Sequence, residues 1–108
     1  MSNDFWLTCP CCHVMVFDRN ITHNLGPMAR EVSIYEALWH PKDNGFDEAA
    51  KLIPILEKGL ESLRNDPEKY RKFNPSNNWG TFETLVDFTE TVLIACRNYP
   101  KAIPDTWV

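Results

Sequence analysis

Positive charge is scarce in this chain, and its scarcity excludes a first group of functions. Eleven Lys and Arg face fifteen Asp and Glu, a formal charge of −4 over 108 residues. Proteins that grip nucleic acid do so with clustered cations that displace counterions from phosphates, so no nucleic-acid polymer is expected as a partner. The densest basic group, Lys69, Arg71 and Lys72, stands beside Asp66 and Glu68 and reads as a solvated helix face. The acidity is in turn too weak and scattered to imitate DNA, and mainly promises solubility. No apolar run approaches the ~20 residues of a membrane span, which excludes a membrane partner of that kind. The opening Met-Ser-Asn-Asp-Phe-Trp lacks the basic and apolar regions of a secretory signal, and a cytoplasmic location is expected. Internal repeats, low-complexity stretches, a phosphate-binding glycine loop, a paired-carboxylate signature and HExxH are all missing, and with them the commonest signals of an enzyme.

What is present is the composition of one ordinary globular domain, residues 1–108, with 44% hydrophobic and 24% charged residues. A chain of this length buries roughly 65% of the surface it exposes when unfolded, enough for one core. Residues 5–9 and 14–17 are rich in aromatic and β-favouring types on either side of a Cys-Pro turn, which predicts a hairpin; Asp18-Arg19-Asn20 is polar, and Ile21 and Thr22 complete the second strand or form its exit. Pro27 suits a helix's first turn, and Met28, Val32, Tyr35, Leu38 and Trp39 recur at helical spacing until His40-Pro41 stops the run. A second helix is expected after Asp47 as its cap, with the stripe Leu52, Leu56, Leu60, Leu63. Pro54 either kinks it or begins it anew after a short first turn. Asp66-Pro67 predicts a short helix over 67–73, and Thr81 caps a last helix whose stripe is Phe82, Leu85, Val86, Thr89, Val92, Leu93 and Cys96. Residues 102–108 read as an extended tail able to pair with the hairpin. The result is an α+β fold: a small antiparallel sheet, made of the N-terminal hairpin and a C-terminal strand, covered by three to four helices.

Four cysteines in a chain with no export signal are expected as reduced thiols or metal ligands. Cys9 and Cys12 have the spacing with which a hairpin turn aims two thiolates at one tetrahedral zinc. They make half a site, since no second such pair follows and Cys96 falls on a core stripe. His13 also stands where a small residue such as glycine would ease the backbone N–H groups towards the sulfurs. The expectation is therefore no cofactor, with zinc on Cys9 and Cys12 as the alternative.

Asn20, Thr22, His23 and Asn24 set four polar side chains at a strand-to-helix junction, where free N–H groups and a positive dipole end can hold a polar ligand. The same residues can equally serve as caps. Trp39 and Trp79 both stand at element ends. Should helix packing bring the Asn78-Trp79-Gly80 loop beside His23, an aromatic face next to amides and an imidazole would suit a planar polar ligand such as a nucleotide or base. For catalysis, Cys12 and His13 are sequence neighbours that a regular strand would point to opposite faces, and His23 with Asp18 or Glu36 lacks a second catalytic group.

Asn20-Ile21-Thr22-His23-Asn24-Leu25, Met28-Ala29, Tyr35-Glu36-Ala37-Leu38-Trp39, and Asn74-Pro75 leading to Trp79-Gly80-Thr81-Phe82-Glu83 resemble a family of small uncharacterised proteins common in bacteriophage and prophage genomes. The similarity covers roughly residues 14–100. Members often carry Gly before the Trp-Gly pair and a basic residue after the earlier Trp; Asn78 and His40 stand there in this chain. The resemblance implies no established activity, and implies that the N-terminal cysteines are a variable feature. It also implies one option, that of a small phage protein countering host defence by binding a signalling nucleotide or a host protein.

The function expected is a non-enzymatic binding protein that recognises a polar or nucleotide-like small molecule through Asn20, Thr22, His23, Asn24, Trp39, Asn78 and Trp79. The alternative is a protein-interaction module, a homodimer or host-protein binder, anchored on Trp6, Trp39 or Trp107.

Overall fold

The computed structural model describes residues 2–76 and 80–107. Strand β1 (Ser2–Thr8) runs antiparallel to β2 (Met15–Thr22) on one side and to β3 (Ile103–Trp107) on the other, giving the order β2-β1-β3. The expected α+β architecture and the C-terminal strand are both present. Pro104, which cannot donate to a ladder, is confined to an edge strand as its missing N–H requires.

β2 runs unbroken through the polar Asp18, Arg19 and Asn20 to Ile21 and Thr22, which complete it. Their polarity conceals a strand whose two sides face different surroundings. Arg19 lies opposite Phe5 and reaches Asp87 at 3.1 Å, while Asp18 and Asn20 lie opposite Trp6 and Asp4 on the other side of the sheet. A register shift between Leu7 and Thr8 marks the irregularity by which the hairpin reaches its Cys-Pro turn.

The helices are α1 (Gly26–Glu31), α2 (Tyr35–Trp39), α3 (Ile53–Asn65), α4 (Pro67–Arg71) and α5 (Phe82–Asn98). A 3-10 turn at His23–Leu25 leads into α1. The single helix expected over 27–39 is two helices, broken at Ser33, which adopts a left-handed φ of 62°. The break turns Ile34 fully into the core, against Gly59 of α3, where a Cβ would come within 2.3 Å of Ile34 Cγ2. Pro54 begins α3 anew after a 3-10 turn at Ala49–Lys51, the second of the two expected arrangements. Asp47 does not cap it: its carboxylate pairs with Lys51 at 2.7 Å, which holds the Asp47 carboxyl below the usual carboxylate range. α5 begins as expected, with Thr81 and Thr84 exchanging side-chain and backbone bonds in a capping box.

The core lies between the sheet and the helices, where Phe5 and Leu7 of β1 and Ile21 of β2 meet Leu25, Met28, Leu38, Leu56, Leu85, Phe88 and Val92. Asn3 is also fully buried on this side and donates to the Leu38 carbonyl at 3.0 Å, while its own Oδ1 has no partner among the described residues. Arg97–Glu57 at 2.8 Å and the Arg64–Glu90 pair join α3 to α5 across solvent. No described helix is long and apolar enough to cross a membrane.

Candidate functional site

The strand-to-helix junction is built as a lock. Thr22 ends β2 in extended conformation, and its hydroxyl accepts the Asn24 N–H at 3.3 Å, so it serves as the cap of the 3-10 turn. His23 follows, half-buried, and its Nδ1 accepts the Trp39 indole N–H at 3.0 Å. That bond requires an unprotonated Nδ1 and so fixes the proton of the neutral ring on Nε2.

Trp39 is completely buried. Tyr35 stacks on it with ring centroids 5.1 Å apart and an interplanar angle of 13°, and Arg30 lies 4.0 Å above the Tyr35 ring. The Thr106 hydroxyl donates to the Trp39 carbonyl at 2.8 Å, tying α2 to β3. This corrects two expectations for Trp39, as a stacking surface for a ligand and as an exposed anchor for a partner. Its ring has no free face, and what it does is orient His23.

Asn20 stands apart from this junction. It projects from the sheet's other side, opposite Asp4. Asn78 and Trp79 lie outside the described residues. Gly80 is described, and it seats directly on the junction. It has a φ of 90°, and a Cβ added there would come within 2.6 Å of Thr22 Cγ2 and 3.0 Å of Leu25 Cδ1. Two segments nearly sixty positions apart in the chain therefore meet at Thr22, Leu25 and Gly80. No carboxylate pairs with His23 among the described residues, whereas His40 Nδ1 has Asp43 at 3.7 Å and lies edge-on to Tyr35.

At the hairpin turn, the Cys12 N–H donates to Cys9 Sγ at 3.5 Å. That bond, followed by the Cys12 thiol and the Cys11 N–H, lowers the Cys9 thiol from its ordinary value. Cys12 and His13 lie in this turn rather than on a strand, and His13 takes a left-handed φ of 60° at the position where a smaller residue would fit more easily. The arrangement offers two sulfur ligands. Among the described residues, no three His, Cys, Asp or Glu side chains converge to hold a metal, and no chemistry is routed through one. Cys96 is a buried core residue whose thiol desolvation pushes up to about 12.

The surface that sequence reasoning treated least is the sheet's second face. Alternation along β1 sends Asn3, Phe5 and Leu7 into the core and Asp4, Trp6 and Thr8 outward. The register sets Asp18, Trp6 and Asp105 in one row across the three strands, and Asn20, Asp4 and Trp107 in the next. All of these except Asp105, together with Met15, line a shallow recess of about 770 Å³. Trp107 is 71% exposed, and Met15 is 52% exposed at the recess margin. Asp105 pairs with Lys42 at 2.9 Å, and Arg19, also at the recess, is turned to Asp87. Asp4 and Asp18 have no ion pair or side-chain hydrogen bond among the described residues. The signal was available in the period-two alternation of Asp4-Phe5-Trp6-Leu7, in which an indole occupies a polar phase.

The basic patch on α4 is internally compensated. Arg71 bonds Glu68 at 2.5 Å and Glu83 at 3.3 Å, which raises its own affinity for its proton, and its guanidinium lies over Phe82. Comparison of the chain with models of known protein families, with curated proteins and with solved structures finds no match in any of the three.

Proposed function

We propose that this protein is a binding module without chemistry of its own, and that it engages a protein partner through the uncovered face of its sheet. One observation carries this reading: a fold of 108 residues places two indoles, the exposed Trp107 and the half-buried Trp6, among three carboxylates on a face that no described helix covers. Exposed aromatic side chains set in a polar surround are the usual anchors of recognition surfaces, because each removes much apolar area from water at small cost in conformational freedom. Selection of a displayed random-peptide library tests the reading. Enriched peptides should bind the wild-type protein and fail on a Trp6→Ala/Trp107→Ala variant that stays folded; equal binding to both would remove it.

A second reading, a polar or nucleotide-like small molecule at the junction, is favoured by the seating of Gly80 on Thr22 and Leu25, which brings the end of the Trp-Gly loop beside His23. In this reading His23 Nε2–H and the Asn24 amide are the groups that meet the ligand, and Trp39 holds the imidazole for them. A panel of nucleotides and small polar metabolites should then raise the melting temperature, because a ligand that binds only the native state stabilises it. His23→Ala should abolish the shift. A panel that leaves the melt unmoved would retire this reading and leave the first intact.

A further inference from the structure

We infer that the partner segment which the sheet face receives is basic and extended, and that it presents two arginines on alternate residues, one over Trp6 between Asp18 and Asp105 and one over Trp107 beside Asp4. The inference rests on the sheet-face reading and adds to it the chemistry of the occupant.

Charge complementarity selects a cation. The two rows of outward residues contain Asp18, Trp6 and Asp105, then Asn20, Asp4 and Trp107, three carboxylates and two indoles with no basic residue among them. The nearest cations are already directed elsewhere, Arg19 to Asp87, or hold one carboxylate from the edge, as Lys42 holds Asp105. Asp4 and Asp18 carry their charge unpaired among the described residues. An anionic segment would meet like charge here, and a purely apolar one would bury carboxylates without a partner.

Geometry selects arginine over lysine. Directly opposed residues on neighbouring strands have Cβ atoms about 4.5–5.5 Å apart, so a planar guanidinium stacked on Trp6 stands within reach of the Asp18 carboxylate to its side. Arginine can lie flat on an indole and donate in its own plane to a carboxylate at once, which a lysine ammonium cannot do bidentately. Trp107 and Asp4, likewise opposed, repeat the arrangement. Trp6 and Trp107 are diagonal neighbours, about 7–8 Å apart by sheet geometry. Alternate side chains of an extended chain advance about 6.6–6.8 Å, so two arginines separated by one residue match that diagonal.

The test is an amide chemical-shift titration of the labelled full chain with a short peptide in which threonine and arginine alternate, beside the same peptide with glutamate replacing arginine. The arginine peptide should shift amides of β1, β2 and β3 and not those of α3, and the glutamate peptide should shift none. Trp6→Ala should weaken the affinity about tenfold, the equivalent of one strong cation–π contact. Asp18→Asn, which keeps the side chain's shape, should weaken it several-fold and reduce its dependence on salt. Equal shifts of the sheet by both peptides would overturn the requirement for a cation and leave the sheet face as the binding surface. So would shifts of the sheet that depend on protein concentration alone, since the occupant would then be a second copy of this chain. Peptide shifts confined to the helices, or no shifts on the sheet under any of these conditions, would overturn this inference and the sheet-face reading together.

Discussion

The two faces of the three-stranded sheet are made by alternate residues of the same strands, and they are finished in opposite ways. On one face Phe5, Leu7 and Ile21 are sealed under helices, and the buried Asn3 donates its side-chain N–H to the Leu38 carbonyl. On the other, Trp107 is exposed and Trp6 half-buried between carboxylates. The first face stabilises the fold, and the second leaves large apolar surface in water where burial would have been favourable. An indole as exposed as that of Trp107 contributes little to folding, which is why the difference between the faces points to recognition.

Substitutions break the comparison in order of expected effect. Phe5→Ala removes a fully buried ring and should cost about 3–5 kcal/mol in denaturant unfolding. Gly80→Ala should cost about 2–4 kcal/mol, since a side chain there meets both a left-handed backbone and the Thr22 and Leu25 side chains. A loss no larger than a few tenths would mean that the Trp-Gly loop does not seat on the junction. Trp39→Phe keeps most of the packing and deletes the bond to His23, for an expected loss of about 1–2 kcal/mol by the same measurement. Ser33→Gly relieves a left-handed φ at an exposed position and should raise stability by up to about 1 kcal/mol. An unchanged or lowered midpoint would show that the break between α1 and α2 carries no strain.

The cysteines divide along the same line between surface and core. Cys9, its thiol pKa lowered, should alkylate fastest near neutral pH, and Cys96 should react only on unfolding. Because the Cys96 pKa is raised in the folded state to about 12 from an ordinary 9.0, its contribution to stability is fully present below pH 9.0 and is lost as pH rises towards 12. Cys96→Ala should flatten that alkaline decline, as followed by unfolding at a series of pH values.

Much of the architecture is legible in the sequence, because periodicity and capping act locally. The stripe of α5, its Thr81 cap and the extended C-terminal tail follow from residue type and spacing, and Pro54 is one of two arrangements they allow for the start of α3. The misreadings share a cause, a local signal overridden by a contact distant in the chain. Asp18, Arg19 and Asn20 read only as polar until β1 and Asp87 are placed beside them. The helical spacing from Met28 to Trp39 does not reveal that Ser33 must yield so that Ile34 can fill the space over Gly59. Trp39, at the end of an element, looks exposed until Tyr35 and His23 close around it. Of the candidate site, the polar junction could be read from its residue types. The acidic, aromatic face depends on register across three strands, and no single segment displays it.

Equilibrium unfolding and peptide titration of the Trp6→Ala/Trp107→Ala variant test the functional difference between the faces most directly. The account predicts that stability falls by less than about 1.5 kcal/mol, far short of the loss for Phe5→Ala, while binding of the arginine peptide disappears. A loss as large as that of Phe5→Ala, or binding that survives both substitutions, would contradict it.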